Sequence, residues 1–140
     1  MIEYSANIDK PLEIVWKHFL SKIEQPQNFV PGVSDVAIRE KTNYHVIRSM
    51  RISFPDGSDA TVVENITHLP YRVNYLIVDH PFYTGHVDNI AEHISDNLTR
   101  ITYAMHWVNK LNGETFSNQD IVKNAVMKTI AHILAAESRF

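Results

Sequence analysis

The sequence predicts an α+β domain in which a curved antiparallel sheet of about seven strands closes over one long C-terminal helix. The order of elements is the first reason: a strand, a helix, six strands and a long helix. The short turns between successive strands are the second. Neighbouring strands joined this way pair as an antiparallel meander. The third is burial. An antiparallel sheet with one wet face needs its other face covered, and the two helices are the only cover the chain supplies.

Each element has its own signal. Ile2 to Ile8 alternates apolar and polar residues, as a strand does. Asp9-Lys10-Pro11 then opens a helix, with Asp9 as expected cap and Pro11 in the first turn. Val15, Trp16, Phe19, Leu20 and Ile23 recur at helical spacing until Pro26 ends the pattern. Gln25 to Val33 is irregular or briefly helical, broken again at Pro31-Gly32. Strands follow at about Ser34–Lys41, Tyr44–Phe54, Ser58–His68, Tyr71–Asp79, Gly85–Ser95 and Leu98–Asn109. From Ser117 the period becomes helical, with Ser117 or Asn118 as cap. Ile121, Val122, Ala125, Val126, Thr129, Ile130, Ile133 and Leu134 form one wide apolar stripe.

Hairpin loops set register, and opposed residues share a face. Pro55-Asp56-Gly57 fits a three-residue loop, which opposes Phe54 with Ser58, Met50 with Val62 and Arg48 with Glu64. An even loop at Leu69-Pro70 opposes Ile66 with Val73, Glu64 with Tyr75 and Val62 with Ile77. Ser95-Asp96-Asn97, with Asn97 left-handed, opposes Ala91 with Ile101, Asn89 with Tyr103 and Val87 with Met105. Each loop selects the more apolar side of its strands. The inner face so defined is apolar except for Arg48, Glu64, Tyr75, Asn89 and Tyr103, with Trp107 toward a strand end. Buried polar groups left without partners cost about 1–3 kcal/mol each. These either satisfy one another or face a wet, ligand-sized cavity.

Composition narrows the function classes. A chain of 140 residues suits one domain spanning residues 1–140, with a core and a modest cavity. Net charge is −3, from 13 basic and 16 acidic residues, which disfavours a nucleic-acid partner. There is no cysteine, so disulfides, thiolate metal sites and cysteine nucleophiles are excluded. Met1 to Ser5 carries no signal-peptide pattern, and no apolar run is long enough for membrane insertion. A cytoplasmic location is therefore expected, and the sequons at Asn65 and Asn97 read as chance.

Several stretches resemble a known family. They are Val15-Trp16; Lys22-Ile23 with Pro26 and Phe29-Val30-Pro31; Val63-Glu64-Asn65-Ile66-Thr67-His68 with Tyr71-Arg72-Val73; Asn89-Ile90; and Leu98-Thr99-Arg100-Ile101-Thr102-Tyr103 ending in Trp107. Together they resemble the START-like, or Bet v 1-like, superfamily (SRPBCC) of helix-grip proteins. More narrowly they resemble the AtaL-like family, the acetylaranotin-cluster protein L type. The resemblance implies a sheet gripping a C-terminal helix around a hydrophobic pocket. It carries over Glu64, Asn89, Tyr103 and Trp107 as matching positions, with no catalytic role attached to any of them. The wider superfamily includes lipid and hormone binders, polyketide cyclases and hydroxylase subunits, among which fold alone does not choose.

The expected function is therefore binding of a small hydrophobic or aromatic metabolite. The expected ligand contacts are Arg48, Glu64, Tyr75, Asn89, Tyr103, Trp107, Phe29, Met105, Val126 and Ile130. Arg48 and Glu64 read either as a structural ion pair or as an anchor and an acid/base pair. The alternative function is a cofactor-independent cyclase, dehydratase or hydrolase, with Glu64 as general acid or base and Tyr103 or Tyr75 polarising a carbonyl. A third reading is an accessory protein with a vestigial pocket, and the exposed strand edges leave a homodimer open. His86-Val87-Asp88 matches half of a metal triad, with His106 or His132 as third ligand. The face assignment turns His86 and Asp88 outward, so neither a metal nor any other cofactor is expected. Phe29, Val30 and Val33 are candidates for a flap over the pocket mouth, with Phe82 and Tyr83 as the facing rim.

Overall fold

The computed structural model describes residues 1–54 and 56–138. The elements are β1 (Ile2–Ile8), α1 (Leu12–Glu24), a 3-10 turn (Pro26–Asn28), β2 (Val33–Lys41), β3 (Val46–Ser53), β4 (Asp59–Leu69), β5 (Arg72–Asp79), β6 (Tyr83–Ser95), β7 (Leu98–Asn109) and α2 (Gln119–Glu137). All strand pairs are antiparallel, in the order β1-β7-β6-β5-β4-β3-β2. The sheet is thus a meander whose last strand returns to the first. It curves around α2 in the helix-grip arrangement that the sequence predicts. Among the described residues, no helix is long and apolar enough to cross a membrane.

Two of the three hairpin registers are as counted. Arg48 faces Glu64 and Met50 faces Val62. The first loop residue there, Pro55, lies outside the described residues, but Gly57 is left-handed at φ 89° as the loop requires. Asn89 faces Tyr103 and Ala91 faces Ile101. That loop is tighter than expected, however. Ser95 pairs Leu98, the extra residue is absorbed as a bulge after His93, and Asn97 is not left-handed. At Leu69-Pro70 the register is two residues away from the expected one. Leu69 pairs Arg72 across Pro70-Tyr71, so Ile66 faces Tyr75 and Glu64 faces Ile77. Tyr71 supplies the positive φ, 65°, that this two-residue turn needs. A slip of two leaves every side chain on its expected face, because the strand period is two.

The helices show three further differences. Pro11, not Asp9, occupies the N-cap of α1, and no side chain caps it. The buried stripe of α1 is Val15, His18, Phe19, Lys22 and Ile23, while Leu20 is 37% exposed. Of the expected Val15-Trp16-Phe19-Leu20-Ile23 stripe, Val15, Phe19 and Ile23 are buried as expected, while Leu20 turns outward and His18 and Lys22 turn inward. On α2 the stripe holds from Val122 to Ile133, but Leu134 is 41% exposed. Asn118 caps α2 by accepting from the Asp120 backbone N–H at 3.2 Å. Asn118→Ala is expected to lower stability by about 1 kcal/mol, read as a shift in urea midpoint at unchanged slope.

Two glycines allow backbones to meet. A Cβ on Gly85 (φ 115°) would sit 1.9 Å from the His106 carbonyl oxygen across the β6–β7 pair. One on Gly32 (φ 78°) would sit 2.5 Å from the Ser53 carbonyl oxygen. The second approach draws the Val30-Pro31-Gly32 segment against the end of β3, at the cavity edge.

Candidate functional site

Between sheet and helices lies a cavity of about 310 Å³. Its walls are mainly apolar: Met50, Ile52, Val87, Met105, Trp107 and Phe116 from the sheet side, with Val122 and Ala125 from α2. Its charged lining consists of Lys22, Arg48 and Glu64. These three come from α1, β3 and β4, and all are nearly sealed from solvent, at 5%, 2% and 3% exposure.

Arg48 organises the charged end. One guanidinium nitrogen donates to Glu64 Oε1 at 2.7 Å. A second donates to the carbonyl oxygens of Ile23 at 2.7 Å and Lys22 at 3.2 Å. Those carbonyls belong to the last turn of α1 and have no partner within the helix, so Arg48 acts as its C-terminal cap. The cross-strand pair foreseen from turn counting thus also fastens α1 to the sheet. Its guanidinium lies 5.2 Å from the Tyr75 ring centre.

Lys22 is the group the sequence reading left out. Its Nζ donates to Asn89 Oδ1 and lies 4.2 Å from the Tyr103 ring centre and 4.8 Å from that of Tyr75. No carboxylate lies within salt-bridge distance of it among the described residues. Burial, reinforced by the Arg48 guanidinium and only partly offset by Glu64, lowers its pKa from 10.5 to about 7. A signal for it existed in the sequence: position 22 is in phase with Val15, Phe19 and Ile23 at helical spacing.

The two tyrosines stay protonated, because burial pushes both phenols above their ordinary value. Tyr103 is anchored to α2, its hydroxyl 2.6 Å from Thr129 Oγ1, which in turn donates to the Ala125 carbonyl at 2.9 Å. The Tyr75 hydroxyl and Trp107 Nε1 have no hydrogen-bond partner among the described residues. Tyr75 therefore keeps an unspent donor beside the charged cluster.

Of the expected contacts, Arg48, Glu64, Tyr75, Tyr103, Trp107 and Met105 line the cavity. Asn89 stands behind Lys22 and reaches the cavity only through it. Phe29, Val126 and Ile130 are a correction: they belong to the packed core and do not line the cavity. The flap is likewise smaller than expected. Val30, Pro31 and Gly32 edge the cavity, while Phe29 is fully buried beneath them and packs on His132 at 4.6 Å. On the facing side, Phe82 is exposed and Tyr83 stacks on Trp107 at 5.3 Å; Phe116 lines the cavity in their place.

His86, Asp88 and His106 share the opposite face of the sheet. Their ligand atoms lie within 4.8 Å of one another, and the two imidazoles stack at 4.4 Å. The outward orientation is as expected, but Asp88 is buried there rather than solvated. It accepts from Asn74 Nδ2 at 2.9 Å and pairs with Arg72 at 3.5 Å. His132, the other third ligand considered, is on α2 against Phe29 and His18, far from this cluster in the fold.

Comparison with known proteins agrees with this architecture. The model of the family described as acetylaranotin biosynthesis cluster protein L matches residues 11–138. No curated protein sequence matches the chain. Among solved structures, the ZhuI aromatase/cyclase from Streptomyces sp. R1128 superposes with a TM-score of 0.74 at 15% identity, covering 99% of this chain and 93% of that one. A START superfamily protein from Mycobacterium smegmatis gives 0.71 at 10% identity, with 97% and 94% covered. Ara h 8.0201 gives 0.68 at 12% identity, with 96% and 97% covered. At these identities the likeness shows a shared START/Bet v 1-like fold.

Proposed function

The chain belongs to the acetylaranotin biosynthesis cluster protein L family, and on that premise we propose that it binds a small hydrophobic or aromatic metabolite in the cavity between sheet and α2. The observation that carries this reading is the lining: apolar and aromatic walls with the charged groups gathered together. Ligand sites of about 300–1,000 Å³ are typically apolar with a few fixed polar groups that orient the guest. Apart from Glu64, whose Oε1 is engaged by Arg48, those groups are cationic or donors: Lys22, Arg48 and Tyr75. They suit a ligand oxygen that is anionic or carbonyl in character.

A narrower cavity tests the reading. Ala125 is on the α2 face of the cavity, and Ala125→Phe would fill part of it with a ring. The wild-type protein is expected to bind 1-anilinonaphthalene-8-sulfonate with enhanced fluorescence, since that probe joins an aromatic body to one anionic group. A folded Ala125→Phe variant is expected to bind it at least about tenfold more weakly, a loss of about 1.4 kcal/mol. Equal binding by both proteins would place the probe elsewhere and remove the support for this pocket.

A second reading, cofactor-independent acid/base chemistry of the cyclase or dehydratase type, draws on one specific observation. Lys22 is a buried amine that titrates near neutrality beside an unspent tyrosine donor. Such a group holds or yields a proton at working pH. Glu64 is less suited to that task, because its Oε1 is engaged by Arg48. In this reading Lys22 moves the proton, and Tyr75 hydrogen-bonds a carbonyl oxygen.

A further inference from the structure

We propose that Lys22 captures a ketone or aldehyde carbonyl of the cavity ligand as an imine, so that the ligand class is a hydrophobic carbonyl compound. The inference rests on the binding reading above and deepens it. Four features of the geometry carry it. Lys22 lines the cavity, so its amine is within reach of a guest. It is almost wholly buried, and no carboxylate neutralises it among the described residues. Its only hydrogen-bond partner there is Asn89 Oδ1, which orients Nζ between the faces of Tyr75 and Tyr103. Finally, the Arg48 guanidinium is held next to the Lys22 backbone, where it opposes a second positive charge. A desolvated lysine beside another cation is the arrangement that frees an amine lone pair for attack on carbonyls.

The groups that flank Nζ among the described residues come from five strands. They are Arg48 on β3, Glu64 on β4, Tyr75 on β5, Asn89 on β6 and Tyr103 on β7. Asn89 Oδ1 and the two tyrosine faces also favour the ammonium, but among the charged groups only Glu64 does, and it is committed to Arg48. With a pKa of about 7, about half of Lys22 is neutral at pH 7. That is roughly a thousandfold more free amine than an exposed lysine offers.

The step balances without a redox partner. The Nζ lone pair attacks the carbonyl carbon, forming a C–N bond and placing the electron pair on oxygen. Proton transfer from nitrogen to oxygen gives a carbinolamine. Loss of the hydroxyl with the remaining Nζ proton releases one water and leaves the C=N bond. The Tyr75 hydroxyl is available to hydrogen-bond the oxygen as it leaves.

The test is reductive trapping. The folded protein is incubated at pH 7 with 2-naphthaldehyde and cyanoborohydride, then analysed by intact mass and peptide mapping. One adduct is expected on Lys22, formed at least about a hundredfold faster than on any other lysine. Lys22→Arg keeps the cation and is expected to lose this adduct while retaining the wild-type far-UV circular dichroism; 2-naphthol, which has no carbonyl, is expected to displace 1-anilinonaphthalene-8-sulfonate from the wild type. Lys22→Met serves the same purpose if the arginine variant misfolds. If 2-naphthaldehyde displaces the fluorescent probe yet Lys22 remains unlabelled, the imine is overturned and the binding reading stands. Labelling spread over surface lysines overturns it equally. If neither naphthalene compound enters the folded protein, both readings fall together.

Discussion

Arg48→Met is expected to destabilise the protein by about 3–5 kcal/mol, the largest loss predicted for a single side chain here. The arginine is 2% exposed and satisfies three acceptors: Glu64 Oε1 and the carbonyls of Lys22 and Ile23. Its removal strands a buried carboxylate and uncaps the end of α1. The double variant Arg48→Met/Glu64→Leu removes the stranded charge as well. It is expected to recover most of the loss, because replacing both partners of a buried pair by apolar groups is often neutral or better. Urea midpoints for the two single variants and the double close a mutant cycle. If Arg48→Met alone costs less than about 1 kcal/mol, the pair does not hold α1 to the sheet.

Lys22→Met should change stability in the opposite direction, and only over part of the pH scale. In the unfolded chain the amine titrates at its ordinary 10.5, and in the fold at about 7. Below about pH 7 both states hold the proton, so the fold bears the full cost of the buried ammonium. Between the two values the unfolded chain binds more protons, and stability of the wild type rises with pH. Above 10.5 both states are neutral and the cost is gone. The Met variant lacks this dependence. It is expected to exceed the wild type by up to about 5 kcal/mol at pH 6, less what Asn89 loses, with the gap closing toward pH 10. Tyr75 and Tyr103, raised by burial, erode stability at high pH in both proteins, so the difference between them isolates Lys22. A constant difference between pH 6 and pH 10 would show that the amine does not titrate low in the fold.

A stabilising loss of this kind has a functional sense. A fold that holds an ammonium away from water, with no carboxylate in salt-bridge contact among the described residues, sacrifices stability at that position. Such costs concentrate where a group is needed for binding or chemistry. Lys22 is therefore a better candidate for the working residue of the cavity than Glu64, whose carboxylate is spent on structure.

Much of the architecture was legible because it depends on local rules. Alternation marked the strands, and Ser117-Asn118 marked the start of α2, with Asn118 the cap that forms. The loop at Gly57 sets which residues face each other on β3 and β4, and the bulge after His93 restores the count on β6 and β7, so that Arg48–Glu64 and Asn89–Tyr103 pair as counted. Even the two-residue slip at Pro70-Tyr71 left the inner face intact, since a strand returns to the same side every second residue. That parity is why Arg48, Glu64, Tyr75 and Tyr103 could be assigned to the cavity from the sequence.

What the local rules did not decide is which of the inner residues bound the cavity and which pack beneath it. Phe29, Val126 and Ile130 satisfy every sequence criterion for a pocket wall, yet neighbouring side chains close over them. The exact orientation of α1 was also beyond them. The expected stripe from Val15 to Ile23 is wide enough to bury either its Leu20 edge or its Lys22 edge, and only packing on β6 and β7 selects the second. That selection admits Lys22 to the interior, where an amine is tolerable only with suitable partners. Those partners are Asn89 and the rings of Tyr75 and Tyr103, carried by strands more than fifty residues away in sequence. By itself, then, the sequence determined the helix-grip fold and the polar inner face, because turn parity and periodicity are short-range. The tertiary structure alone decided that a lysine occupies the centre of that face, because desolvation and charge depend on groups that meet only when the chain has folded.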